Sequence, residues 1–279
     1  MRTVQIVAFD PPPPIHLPPL PVGPDTFVLR CAIRAIAAPF TVAVNSMVIR
    51  GAEPVIVDTG IRSNQRSWLA DLTSLVDPAE VRWVFLSHDG QDHTGALAEV
   101  LELCANATLV TSWAATERMT SSFVAPRARL RWVSEGGSFD IGDRTLLALR
   151  PPVYDSPGTR ALFDPTTGVL WASDAFATPM PAEPVGSVEE LPTRLWEEGM
   201  AMFHHHALCP WISMVDRHTY ADHVRRVREL RPSAIVGAHT PMIAGPSVGV
   251  AFDYLAGLPD ASPPPHPDQR ALIATFGGT

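Results

Sequence analysis

The sequence predicts an α/β fold built of stacked layers, and three observations carry that expectation. Apolar strand-like runs alternate with helix-spaced segments through the first half of the chain. Between Leu130 and Asp174 the pattern changes to short strands separated by turns. Several of the strand runs end close to an acid or an imidazole, at Asp58, His88, Asp155, Asp174 and His239.

The elements follow in chain order. Val4–Phe9 and Phe27–Ile33 read as strands flanking Pro11–Pro21, where fixed φ angles and missing N–H groups predict an extended, polyproline-type loop. Val42–Ile49 and Pro54–Val57 are apolar runs split by the Arg50-Gly51-Ala52 turn and closed by Asp58-Thr59-Gly60. Trp68, Leu69, Leu72 and Leu75 recur at helical spacing, and Trp83–Leu86 then leads straight into Ser87-His88. Gly95–Leu103 and Ala114–Phe123 are expected as helices on either side of a Thr108–Thr111 strand. Further on, turns at Glu135-Gly136-Gly137, Gly142-Asp143 and Asp164–Gly168 separate short strands, with Trp132, Leu146–Leu149 and Val169–Trp171 as inner positions. Helices are expected over Glu189–Phe203 and Tyr220–Leu230, and Ala234–Val236 as the last strand. No fixed-period repeat or long linker interrupts the chain, so residues 1–279 are expected to form one domain with a loosely held tail over 260–279.

Composition narrows the function classes. Hydrophobic residues at 46% and charged residues at 18% describe a soluble chain able to bury a large core. The formal charge is -8 and every one of the 21 basic residues is arginine, which argues against a broad phosphate-binding surface and so against nucleic acid. Cys31, Cys104 and Cys209 lie far apart and form neither a disulfide framework nor a thiolate zinc site. Met1–Asp10 lacks a basic cluster followed by an apolar stretch, and no run approaches the ~18 apolar residues of a membrane span. A cytoplasmic protein without membrane contact is the expectation.

The chemistry concentrates in Ser87-His88-Asp-Gly90-Gln-Asp92-His93-Thr-Gly95. Here a strand delivers two imidazoles and a carboxylate into the loop before a helix, where they can turn to one point. An acid or histidine at one strand end is commonplace, but several in buried positions would cost several kcal/mol unless a cation or hydrogen bonds satisfied them. A metal accounts for all of them. His204-His205-His206 ends a helix, where consecutive residues point ~100° apart, so they are expected at the solvent-facing helix end. The competing reading makes one of them, His205 above all, an acid–base group or replacement ligand. His218 and His223 are weaker candidates, and His223, on a helix whose Val224, Val227 and Leu230 face the core, is expected to be solvated.

Val55-Ile-Val-Asp58-Thr-Gly60, Ser87-His88-x-x-x-Asp92-His93-x-Gly95, Ser173-Asp174-Ala-Phe176 and Gly237-Ala-His239 resemble, in order, the motifs of the metallo-β-lactamase superfamily. Within it the chain is most similar to the flavodiiron and oxygen-binding diiron branch. The resemblance implies an αββα sandwich and a site derived from a two-metal one. Carried over position by position, Asp92, His93, Asp174 and His239 complete the second metal site. The first retains His88, has Gly90 at an acid position and Asp155 at a histidine position, and shares the bridging Asp174. Three readings of that departure stand open: a coordination position for water or substrate, a mononuclear protein, or a site rebuilt with Asp89, Gln91 or a distant histidine. The oxygen-rich ligand set favours one or two iron ions, with manganese or zinc as alternatives. Asp58 is expected behind the site, orienting a ligand.

Three functions follow. The first is a non-haem iron protein that binds or reduces oxygen or another small ligand, or uses oxygen to oxidise a small organic substrate. Members of the branch that reduce oxygen or nitric oxide usually carry a flavodoxin-like domain for which this sequence is expected to leave no room, so the resemblance implies a separate electron donor, a protein that only binds or senses oxygen, or one that uses oxygen to oxidise an organic substrate. The second is a metallohydrolase of an ester, thioester or lactone, with Asp92 or Asp155 orienting the nucleophile and Arg160 holding an anionic group. The third is a degenerate metal-binding or regulatory protein.

Overall fold

The computed structural model describes residues 11–276 apart from 37, 122 and 124. The expected strand Val4–Phe9 lies outside these residues.

The first sheet is built from β1 (Ile15–Pro21), β2 (Thr26–Arg34), β3 (Phe40–Ile49), β4 (Val55–Val57), β5 (Trp83–Phe85), β6 (Thr108–Thr111) and β7 (Leu130–Trp132), side by side in chain order. From β4 to β7 the strands are parallel and joined by crossover helices α1 (Gln65–Leu75), α2 (Leu97–Leu103) and α3 (Trp113–Met119). The second sheet runs through β8 (Ser138–Asp140), β9 (Thr145–Leu149), β10 (Ala161–Asp164), β11 (Val169–Trp171), β13 (Ala234–Gly237) and β14 (Thr240–Ala244), while the short β12 (Met180–Pro181) pairs with β3. Between β11 and β13, themselves parallel, the chain crosses over through α4 (Thr193–Phe203) and α5 (Arg217–Arg228). Two further helices, α6 (Pro246–Gly257) and α7 (Gln269–Phe276), complete the chain.

Three cores account for the layering. Met47, Val57, Phe85 and Val110 of the first sheet pack against Leu146, Leu162, Trp171 and Val236 of the second. On the outer side of the first sheet, Trp68 and Leu72 of α1 and Val100 and Leu101 of α2 cover Ile56, Val84 and Leu109. On the outer side of the second, Trp196 and Met200 of α4, Val224 of α5 and Phe252 of α6 cover Phe163, Leu170 and Ile235. The result is the expected αββα sandwich. Both β4–β5 and β11–β13 are parallel pairs whose carboxyl ends emerge at one edge, which is where open α/β sheets place their ligands. There the sheets are tied together by Asn45, whose side chain donates to the Gly237 and Thr240 carbonyls at 3.0 Å each.

Several elements differ from expectation. Ile15–Pro21 is not a loop but an edge strand on β2, with its register shifting between Leu17 and Leu20. Proline's missing N–H is harmless on the open side of an edge strand or at a bulge, so a proline-rich run can still pair. Trp132 is 56% exposed instead of inward, because β7 is the last strand of its sheet; its indole N–H donates to Thr116. Leu146 and Ala148 face the space between the sheets while Leu147 and Leu149 face the helical layer. The chain also continues past Val236 into β14 and α6. In the terminal stretch expected to be loose, Gln269–Phe276 is helical. No helix among the described residues is long and apolar enough to cross a membrane.

Candidate metal centre

His93 sits where the loop after β5 enters α2, and Gly95 permits that entry. The Gly95 N–H donates to the Gly60 carbonyl at 2.8 Å, and a Cβ at Gly95 would lie 2.3 Å from the Arg62 nitrogen, inside van der Waals contact. The His93 backbone carbonyl accepts from both the N–H and the hydroxyl of Thr59. Its side chain is fully buried, with Nδ1 donating to Asp58 Oδ2 at 2.8 Å, so that Nε2 is the nitrogen that offers a lone pair once the ring is neutral. His239, on the turn between β13 and β14, repeats the device by donating Nδ1–H to the Ala43 carbonyl at 2.8 Å.

The lone pairs converge on Asp174. His93 Nε2 lies 3.0 Å from Asp174 Oδ1, and His239 Nε2 lies 3.5 Å from that same oxygen and 3.1 Å from Asp92 Oδ2. On the other side, His88 Nε2 lies 3.5 Å from Asp174 Oδ2 and 3.7 Å from Asp155 Oδ2. One carboxylate therefore presents one oxygen to each half of the cluster, which is the arrangement of a bridging ligand. Two sets, His88–His93–Asp174 and Asp92–His93–His239, each bring their ligand atoms within 4.8 Å of one another. Although close, His93 Nε2 and Asp174 Oδ1 are not aligned to hydrogen-bond, and both are buried without a partner. Without an ion they have only this misaligned charge contact, which direct bonds to a shared cation would replace, so the residues fit a metal.

The charges are arranged accordingly. Burial alone would raise the Asp174 carboxyl, but His88, His93 and His239 hold it far below the usual carboxylate range. Asp92 is likewise held low against burial by its hydrogen bond to His239 and by the charge of His93. Burial would lower His93 and His239, but Asp174 with Asp58, and Asp92 with Asp174, push them up. In the metal-free fold these two imidazoles therefore stay protonated to higher pH than a free histidine, and an incoming ion must displace their protons. Metal uptake by the folded protein is expected to release up to about two protons per ion and to tighten as pH rises, by up to ~100-fold per pH unit, until the raised pKa values of His93 and His239 are passed. The metal-free fold moves oppositely, since its stabilisation by the charged imidazoles is complete below pH ~6.5 and is lost as pH rises through their raised values. Calorimetric titration in buffers of different ionisation enthalpy checks the first, and urea denaturation at several pH values the second.

All six expected ligands, His88, Asp92, His93, Asp155, Asp174 and His239, are thus brought to one place. Asp58 stands behind them, accepting from Ser87 N and Oγ, His93 Nδ1 and Trp171 Nε1. Among the described residues, three non-glycine residues near the centre take left-handed φ angles, Asp58 at 57°, Ser173 at 54° and Phe176 at 67°. Such backbone strain is characteristic of functional sites. Of the substitutes considered for the first site, Asp89 is engaged by Arg118 at 2.7 Å and Gln91 is exposed. Arg160 spends one nitrogen of its guanidinium on the Pro157 and Thr159 carbonyls of its own loop.

The three consecutive histidines divide their roles in a way the spacing did not reveal. The catalytic candidate His205 points away, donating Nε2–H to the Leu258 carbonyl at 2.8 Å, and His206 donates to the Pro264 carbonyl at 2.9 Å. His204 is the one buried. His223, expected in solvent, is half-buried and donates to the Pro151 carbonyl at 3.0 Å.

Gly90 is wedged against the ligands. A Cβ there would lie 2.8 Å from His88 Nε2, 2.9 Å from Asp92 Oδ1 and 3.0 Å from His93 Cδ2. Gly90→Ala is expected to push the imidazoles apart, weakening metal binding at least tenfold and costing ~1–3 kcal/mol as an overpacked site. Competition with a chromophoric chelator measures the first effect, and unchanged affinity would refute the wedge.

A family model described as ODP family beta lactamase matches residues 42–240, well over half the chain. Among curated proteins, the anaerobic nitric oxide reductase flavorubredoxin of Pectobacterium atrosepticum is 26% identical over 160 residues, 57% of this chain and 31% of that protein. The Salmonella typhi flavorubredoxin is 26% identical over 155 residues, 55% and 32% of the two chains. The chain thus spans about a third of these relatives. Among solved structures, rubredoxin oxygen:oxidoreductase from Desulfovibrio gigas superposes with a TM-score of 0.73 at 16% identity, covering 87% of this chain and 61% of that one. The flavodiiron protein of Giardia intestinalis gives 0.70 at 17% identity, covering 88% and 60%. The four-layer fold is therefore the one found in the metallo-β-lactamase-like part of flavodiiron proteins, and the chain belongs to the ODP family of β-lactamase-fold proteins.

Proposed function

We propose that this chain is a non-haem iron oxidoreductase domain that acts on a small diatomic ligand, oxygen or nitric oxide, with electrons supplied by a separate donor. The observation that carries the reading is Asp174, one of whose oxygens faces His88 and the other His93 and His239. Asp92, His93, Asp174 and His239 would hold one iron, and His88, Asp155 and Asp174 a second, more weakly bound. Iron at such a site supplies electrons, one per ion, to a small bound ligand. The nitric oxide reductase relatives and the oxygen:oxidoreductase superposition support this class of reaction.

The chain's own residues supply the rest. Asp58 and the Ala43 carbonyl fix the tautomers of His93 and His239, so each presents a lone pair without rearrangement. Asp155 has a side chain 35% exposed and accepts from Thr159, so it stands at the solvent side, where it can hold a proton arriving from water. Replacement of two family ligands by Gly90 and Asp155 leaves the His88 side poorer in donors, which makes it the side that takes an exogenous ligand.

The test is elemental analysis of protein from cells grown without added metal, with absorption spectra in air and after reduction, followed by anaerobic mixing of the reduced protein with nitric oxide or oxygen. The expected result is more than one iron per chain and a band that responds to reduction and to the gas. Zinc alone, with no redox response, would overturn the reading and turn attention to hydrolysis.

A further inference from the structure

His204 is fully buried at the end of α4, where the chain makes one π-helical turn, His204–Leu208, closed by the Cys209 N–H on the His204 carbonyl at 2.8 Å. Single π turns inside or at the end of α-helices recur at functional sites. This one is held from outside by His205 and His206, which donate to carbonyls of the segment beyond α6. The inner face of α4 lies on Thr178 and Pro179, so closely that a Cβ at Gly199 would be 2.5 Å from the Pro179 ring. The Thr178 N–H in turn donates to the His239 carbonyl, which brings the end of α4 alongside the metal centre.

The His204 ring has a defined polarity. Nδ1 lies 2.7 Å from the Met200 carbonyl, which can only accept, so Nδ1 carries the proton and Nε2 the lone pair. That Nε2 is buried and has no hydrogen-bond partner, a condition it shares with six other side-chain atoms among the described residues, His93 Nε2 and Asp174 Oδ1 among them. It interacts electrostatically with Asp174 and His239 but makes no ion pair with either, so it stands back from the ligands by more than a direct contact.

We propose that His204 Nε2 is a fixed hydrogen-bond acceptor facing the ligand at the metal centre, so that the site holds a molecule bearing an O–H or N–H in preference to one that carries no proton. Burial lowers this imidazole to about 4, which keeps the lone pair free at neutral pH. Acceptors so placed reward a donor on the ligand and leave a protonless ligand with nothing to offset the desolvated nitrogen. The proposal rests on the metal-centre reading above: oxygen and nitric oxide themselves carry no proton, so the preference falls on the water that their reduction yields and on added ligands bearing an O–H or N–H, not on the gas.

The probes are acetohydroxamate, which keeps an N–H when bound as an anion, and azide, which has none. Both are titrated into ferric holoprotein and followed by their charge-transfer bands. In His204→Phe, acetohydroxamate is expected to bind about tenfold more weakly while azide changes less than about twofold. His204→Gln, whose side-chain oxygen can accept in place of Nε2, is expected to recover most of the loss. Nitrogen-15 NMR of zinc-substituted wild type should show Nδ1 protonated and the Nε2 resonance moving with acetohydroxamate but not with azide. Equal losses for both probes, no loss, or iron released by His204→Phe would each overturn the proposal, the last by making His204 a ligand. Should His204→Phe not fold, the Gln variant and the NMR tautomer decide. A wild-type protein that binds no iron would instead sink the metal-centre reading.

Discussion

Asp174→Ala is expected to strip the protein of metal at both positions and to lower ion affinity by more than the ~10–100-fold typical of a supporting residue. The carboxylate is 3% exposed and stands within 3.5 Å of His88, His93 and His239, so no neighbouring side chain can take its place. In the metal-free fold the same substitution leaves His93 and His239, which had been held protonated, without their shared counter-charge. Breaking a buried pair of this kind costs ~3–5 kcal/mol. Because the imidazoles can escape by losing their protons, the loss should be larger at pH 6 than at pH 9. Asp174→Asn, which keeps the shape and removes the charge, should reproduce the loss of metal. Elemental analysis and denaturation at the two pH values measure both effects, and a variant that retained a full complement of ion would remove Asp174 from the centre.

Asp58→Ala should be the most destabilising substitution away from the ligands themselves. This fully buried carboxylate accepts from Ser87 N and Ser87 Oγ at 2.7 Å each, His93 Nδ1 at 2.8 Å and Trp171 Nε1 at 3.1 Å. Its loss strands those donors in the core at a cost of ~1–3 kcal/mol for each left unsatisfied, of which partial relaxation leaves about 3–5 kcal/mol in total. Alanine would also have to adopt the φ of 57° that aspartate tolerates, adding ~1 kcal/mol. With Nδ1 released, His93 is free to take the other tautomer, and metal affinity should fall ~10–100-fold. Asp58→Asn keeps the backbone preference and separates the two effects, since it should recover the conformational part and not the affinity. Thermal denaturation of metal-free and loaded protein distinguishes them.

Much of the candidate centre was legible in the sequence because Asp58, His88, Asp174 and His239 follow closely on strand ends, and strand ends are read from apolar runs that stop. Val55–Val57 stops at Asp58, Trp83–Leu86 at His88 and Val169–Trp171 just before Asp174, and the structure keeps those alignments. His204 was not legible as an inward group, because three adjacent histidines on a regular helix look interchangeable, and the π turn that sorts them is a product of tertiary packing. The strand Ile15–Pro21 was hidden by a composition that argues for a loop, since only its position at a sheet edge excuses its prolines. Trp132 misled in the reverse way, for its size implies burial while its place on β7 exposes it. The helix α6 carries Gly249 and Gly257 and buries Phe252 against Phe176, so packing rather than helix propensity defines it.

The candidate ligands belong to both β layers. His88, Asp92 and His93 follow β5 of the first sheet, whereas Asp155, Asp174 and His239 come from the loops of the second. A cation shared among them would act as a rivet through the sandwich, joining halves that meet elsewhere through apolar side chains and through polar ties such as Asn45 to Gly237 and Thr240, Trp171 to Asp58 and Arg144 to Asp25. Whatever free energy the ion gains on binding is then credited to the cohesion of the two layers. Removing it should loosen the edge of the molecule where the strands end while the opposite edge stays shut.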